Sequence, residues 1–172
     1  IKRSRDIANR MGKGVQFLMK KNKIDVINGY GTIVDKNTIE ITKNSSKEKI
    51  NANFIMIATG ASPNYFQGME PDGKDIITYK EALIIEQVPE HIVIIGGGAI
   101  GIEFAYFFNA FGSQVTIIEA QNYILPNEDI DISKELSRIF KSKKIDIRTG
   151  VKVKNISKDK KLLKVNLDKG SI

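Results

Sequence analysis

Gly96, Gly98 and Gly101 stand at G-x-G-x-x-G spacing, and a carboxylate, Glu119, follows eighteen residues after the last of them. These residue types hold an anion and a sugar; they do not themselves make or break bonds. Gly96 lets the chain turn tightly, Gly98 leaves room for a pyrophosphate against the backbone, and Gly101 lets a helix lie close to a strand. The unpaired amides and dipole of the helix that opens at the glycines favour an anion. A carboxylate at Glu119 can accept both hydroxyls of an adenosine ribose. It would repel a 2′-phosphate, and Ala120, Gln121 and Asn122 offer no Arg or Lys to receive one, so NAD is favoured over NADP.

The elements that must place these residues are legible around them. His91–Ile95 is a short β-branched run, which reads as a buried parallel strand. A helix follows to about Phe111, with Gly112 as its left-handed terminator. Val115–Ile118 is a second apolar strand. Downstream, Asp129 or Asp131 caps a helix to about Ser142, with Ile132, Leu136, Ile139 and Phe140 as its buried stripe. Ile145–Arg148 is a third strand, parallel to the other two in a doubly wound sheet. Val151–Ile156 and Leu162–Leu167 form an antiparallel hairpin around Lys158-Asp159-Lys160. The fold class is α/β: a Rossmann-like doubly wound dinucleotide-binding domain with an antiparallel hairpin or meander. A glycine-rich turn in an ordinary βαβ unit is the bland alternative.

Upstream, Ile7, Met11, Val15 and Leu18 recur at helical spacing within a helix spanning 1–21, weakened by Gly12 and Gly14 and stopped at Asn22. Ile24–Ile27 reads as a short strand and Asn28–Gly31 as a turn. Thr32–Val34 and Thr38–Thr42 read as a hairpin, Glu48–Ile50 as a weak strand and Phe54–Ala58 as a strongly apolar one. Residues 61–90 concentrate turn residues and hold the domain boundary. Within them, Thr78 and Glu81 make a capping box for a helix running to about Ile85.

Composition narrows the classes. The chain has 172 residues, 41% of them hydrophobic, and no apolar run of membrane-spanning length. With no Cys, a disulfide scaffold, a cysteine zinc site and thiol redox chemistry are excluded within these residues. The net charge of +7 is uneven: residues 1–50 carry 12 basic and 5 acidic side chains, 51–130 carry 2 and 10, and 131–172 carry 13 and 5. The basic residues alternate with apolar ones at secondary-structure spacing, as solvated faces do, and no nucleic-acid partner is expected.

The chain resembles the dihydrolipoamide dehydrogenases, within the flavin-dependent pyridine nucleotide–disulfide oxidoreductases. The stretches that carry the likeness are RSRDIANRMGKGVQFLMKKNKIDVINGYGTI, IMIATGASP, VPEHIVIIGGGAIGIEFAYFFNAFGSQVTIIEA, ILPNEDIDISKEL and FKSKKIDIRTGVKV. The resemblance implies that 1–68 is the latter part of an FAD-binding domain, 69–90 a connection, and 91–172 an NAD-binding domain truncated at its C-terminal end. It places Gly31, Thr59, Gly60 and Ala61 near FAD. It places NAD against Gly96, Gly97, Gly98, Ala99, Ile100, Gly101, Ile102 and Glu103, and against Glu119 and Val153. Glu103 would lie on the nicotinamide side, near the flavin; a carboxylate in the first helical turn is also what the dipole favours.

The same resemblance puts the cysteine pair before Ile1 and the His–Glu acid/base pair after Ile172, so no catalytic residue and no metal site is expected in this segment. His91 is not that histidine. The implied parent is a cytoplasmic enzyme (mitochondrial matrix if eukaryotic) and a homodimer without membrane association. Its partner would be a lipoyl-bearing protein of a 2-oxoacid dehydrogenase or related complex. Other flavoprotein disulfide reductases of mercuric or glutathione reductase type, a transhydrogenase, and a catalytically silent NAD-binding module remain alternatives.

Overall fold

The computed structural model describes residues 2–159 and 162–172. Two compact units, Ile1–Ser62 and Pro63–Ile172, divide the chain.

The first unit opens with α1 (Lys2–Lys21), and Ile7, Met11, Val15 and Leu18 do line one face of it. That face is uncovered, with Met11 69% exposed. Asn22 ends the helix as expected: its amide and side-chain nitrogen both donate to the Leu18 carbonyl, at 3.0 and 2.8 Å. The strands β1 (Tyr30–Asp35), β2 (Thr38–Lys43) and β3 (Ser46–Asn51) follow as an antiparallel meander in that order. Ile33 pairs Ile39, and Ile39 pairs Ile50. Gly31 therefore sits inside β1, not in the turn expected for it.

Two further expectations fail here. Ile24–Ile27 and Phe54–Ala58 are not strands. Phe54 is 92% and Met56 89% exposed. A strand is held by its neighbour's hydrogen bonds, and neither segment has one among the described residues.

The second unit is built on β4 (His91–Ile95), β5 (Gln114–Glu119) and β6 (Asp146–Thr149), a parallel sheet in the order β4-β5-β6. Ile94 pairs Ile117, and Ile118 pairs Arg148. The crossovers are α3 (Ala99–Ala110) and α4 (Ile130–Ser142). Side chains alternate across β5, because successive residues of a strand point to opposite faces. Val115 and Ile117 meet Ile102, Ala105 and Phe108 of α3 and Phe140 of α4. Ile118 instead meets Val165 and Leu167. Those two come from β8 (Leu162–Leu167), which pairs antiparallel with β7 (Val153–Asp159). Helices thus cover one sheet face and the hairpin the other. Lys160, placed at the hairpin's tip by the sequence, lies outside the described residues.

Several helix ends follow the sequence closely. Gly112 ends α3 at φ +95°. Thr78 and Glu81 form the expected capping box, although α2 (Tyr79–Ala82) stops at Ala82 and not near Ile85. Asp129 caps α4, accepting from the Asp131 amide at 2.8 Å. The buried stripe of α4 differs from expectation: Ser133 and Phe140 are buried and Leu136 packs against the core, whereas Ile132 is 58% exposed. Residues 69–90 are not a bare connection either, since Ala82, Ile77 and Ile85 join the helix-side core.

Candidate functional site

The glycine turn leaves the end of β4 with Gly96 at φ +108°, a backbone conformation that only glycine adopts freely. Its amide donates to the Ile118 carbonyl at 2.8 Å, which stitches the turn to β5. Gly101 has the close-packing role its position suggested. A Cβ there would lie 2.1 Å from the Gly96 carbonyl oxygen. At Gly98 a Cβ would meet nothing within 4 Å, so the chain's own packing does not demand glycine there. The open space faces whatever approaches from outside.

Gly97 carries a role that spacing alone did not reveal. A Cβ at this position would stand 3.0 Å from an Ile124 methyl and 3.2 Å from the Glu119 Cβ. Its amide donates to Glu119 Oε2 at 2.7 Å, and its carbonyl accepts from the Leu125 amide at 2.8 Å. The signal available in the sequence was the middle glycine of the Gly-Gly-Gly run, which the G-x-G-x-x-G pattern treats as variable.

Glu119 closes β5 on the helix-side face and reaches the glycine turn directly. Its carboxylate is not free, as a ribose-only role would have it. Oε2 takes the Gly97 amide, Oε1 takes the Gln121 amide at 2.8 Å, and the residue is only 8% exposed. An ionised carboxylate offers about four lone-pair directions, so acceptor capacity remains beyond these two bonds. The carboxylate first clasps backbone and has capacity left for hydroxyls.

At the N-terminus of α3 the first helical bond is Ile102 N–H to the Gly98 carbonyl, at 3.0 Å. No side chain caps this end. The amides of Ala99, Ile100 and Gly101 precede that bond and carry the partial positive charge of the helix end. Ile100 is exposed, whereas Ile102 is buried in the core and contributes only backbone to the site. Glu103 is the fifth helical residue, beyond the first turn, so the dipole account of its carboxylate does not hold; it is exposed.

The remaining expected positions are more scattered. Val153 is half-buried, with its side chain packed against the hairpin-side core. Gly31 would tolerate a Cβ, whose nearest neighbour is an Ile39 methyl at an ordinary 3.5 Å. Thr59, Gly60 and Ala61 are exposed coil, and Gly60 sits at φ +80°. His91 pairs its Nε2 with Thr116 Oγ1 at 3.1 Å, a structural contact at the start of β4. Among the described residues no three His, Cys, Asp or Glu side chains are grouped to hold a metal ion, and no helix is long and apolar enough to cross a membrane.

A parallel three-stranded sheet whose first strand runs into a glycine turn clasped by the acid of its second is a dinucleotide-binding architecture. The chain belongs to the pyridine nucleotide-disulphide oxidoreductases, whose family pattern matches residues 2–172. Within that family it is 40% identical over 158 residues to the dihydrolipoyl dehydrogenase of Chlorobaculum parvum, a match covering 91% of this chain and 34% of that protein. Among solved structures, LpdA of Mycobacterium tuberculosis superposes with a TM-score of 0.87 at 23% identity, over 97% of this chain and 38% of the other. The HOCl-induced flavoprotein disulfide reductase RclA of Escherichia coli is 31% identical with a TM-score of 0.71, over 95% of this chain and 39% of the other. The chain spans about a third of the length of the curated relative it matches.

Proposed function

We propose that this chain supplies the NAD site, and residues of the FAD site, of a dihydrolipoyl dehydrogenase. The observation that carries the reading is the bond from the Gly97 amide to the Glu119 carboxylate beside the open backbone at Gly98. The amides of Ala99, Ile100 and Gly101 would hold the pyrophosphate. The spare lone pairs of Glu119 would take ribose hydroxyls and disfavour a 2′-phosphate. Glu103 would face the nicotinamide end, and the Val153 backbone the adenine end. Gly31, Thr59, Gly60 and Ala61 would lie along FAD, where Gly31 is a position whose missing side chain its own unit does not require.

When bound, FAD would relay electrons from a dithiol to the nicotinamide; the residues here bind and orient. The chain has no cysteine, so the thiol chemistry comes from elsewhere. The whole enzyme would act on a lipoyl-bearing protein of a 2-oxoacid dehydrogenase complex, as a cytoplasmic homodimer.

Titration of the chain with NADH and NADPH, followed by nicotinamide fluorescence, tests the reading. NADH should bind more tightly than NADPH, and no lipoamide turnover should be seen. Glu119→Ala should erode the NADH preference by about tenfold and leave the buried Gly97 amide unpaired, a cost of ~1–3 kcal/mol. An unchanged ratio of the two affinities would sink the role given to Glu119.

A further inference from the structure

Ser133 is fully buried in α4, and its hydroxyl neither caps the helix nor faces solvent. Asp129 already caps α4, and the Ser133 amide already donates to the Asp129 carbonyl at 3.1 Å. The hydroxyl instead crosses to the loop after β5. It donates to the Ile124 carbonyl at 2.6 Å, and the Leu125 carbonyl lies 3.4 Å away. Leu125 sits at φ +50°, in the left-handed region that a leucine enters only under strain. In that conformation its amide reaches the Gly97 carbonyl. Ile124, also fully buried, sets its methyl against the one face of Gly97 where a side chain would stand.

Gly97 is therefore gripped at both ends of its backbone, by Glu119 at the amide and by Leu125 at the carbonyl. With that residue fixed, Gly98 presents its open backbone and the amides of Ala99 and Ile100 have a fixed origin. We infer that Ser133 is a positioning residue for dinucleotide binding: its hydroxyl holds Leu125 left-handed, and Leu125 holds the glycine turn in its binding shape. The inference rests on the proposed NAD site and names a residue no part of the G-x-G-x-x-G pattern contains.

The test compares NADH affinity, protection of the Leu125 amide from hydrogen exchange, and thermal unfolding in four proteins. Ser133→Ala should bind NADH about tenfold more weakly, as expected for one lost buried hydrogen bond, and its Leu125 amide should exchange faster. Ser137→Ala is the control. Ser137 lies one turn later, its hydroxyl donates to the Ser133 carbonyl at 2.7 Å, and among the described residues that hydroxyl makes no bond to the loop after β5 or to the glycine turn. It should lower the unfolding temperature and leave affinity unchanged. Ser133→Ala combined with Leu125→Asn, a residue that tolerates left-handed backbone, should regain affinity even though it forfeits apolar packing. Affinity rising while stability falls is a pattern that a merely structural serine cannot produce.

The inference is overturned if Ser133→Ala binds NADH within about twofold of the unsubstituted chain, if Ser137→Ala loses affinity equally, or if the Asn substitution restores nothing. Failure of the unsubstituted chain to bind NADH would overturn the proposed site itself and this inference with it, an outcome distinct from the other three.

Discussion

The segments 54–58 and 91–95 are two apolar runs of the same length, and they behave in opposite ways. His91–Ile95 lies in a sheet, paired with β5 residue for residue. Phe54–Ala58 is coil, exposed everywhere but at Ile55. The contrast extends to their units. Every fully buried side chain among the described residues belongs to the second unit, where helices and hairpin sandwich the sheet. The first unit has a well-paired meander and an amphipathic helix but no buried side chain among its described residues. Local pattern specifies where a strand can form; a neighbour with free hydrogen-bonding groups decides whether it does.

The largest consequence concerns local stability. Amides of β5 should exchange only through global opening of the second unit, and those of β1–β3 through local opening orders of magnitude more often. Residue-resolved hydrogen exchange measures this, and equal protection in the two sheets would break the comparison. Side-chain truncation should divide the units in the same way. Phe108→Ala should cost ~3–5 kcal/mol in chemical denaturation, whereas Met56→Ala should stay within about 0.5 kcal/mol.

A sharper version uses one substitution in both places. Gly14, inside α1, has nothing within 4 Å of where a Cβ would be, so Gly14→Ala should stabilise by ~0.5–1 kcal/mol. Gly101→Ala drives a methyl into the Gly96 carbonyl and should destabilise by at least ~1–3 kcal/mol, with loss of dinucleotide binding.

The smallest expected effect is electrostatic. The backbone amides of Ile76, Lys74 and Asp75 hold the Asp72 carboxyl below its ordinary 3.8, and the Lys47 ammonium holds Glu40 below its ordinary 4.5. Both contributions to stability are complete above those ordinary values and vanish as pH falls through the lower folded ones. High salt should move Glu40 of the first unit back toward 4.5 and leave Asp72 of the second nearly unmoved, as carboxyl NMR titration would show.

The glycine turn was legible because Gly96, at positive φ, and Gly101, pressed against the Gly96 carbonyl, do backbone jobs that a side chain would obstruct, and spacing encodes such jobs. The capping box at Thr78 and Glu81 was legible because it closes within four residues. Ser133 was not: its partner carbonyl lies across a loop, and apolar periodicity passed over it in favour of Ile132 and Ile139. Nor does anything in Leu125 mark a left-handed residue. The strands expected at 24–27 and 54–58 failed for the complementary reason, since alternation and apolarity describe a strand's side chains and not its partner.

One feature of β5 reaches further than packing. Its odd-numbered residues face the helices, and Glu119 is the last of them. A single residue inserted between Gln114 and Ile118 would swing that acid to the hairpin side. The hydrophobic alternation that seats the strand therefore also aims its terminal charge at the glycine turn.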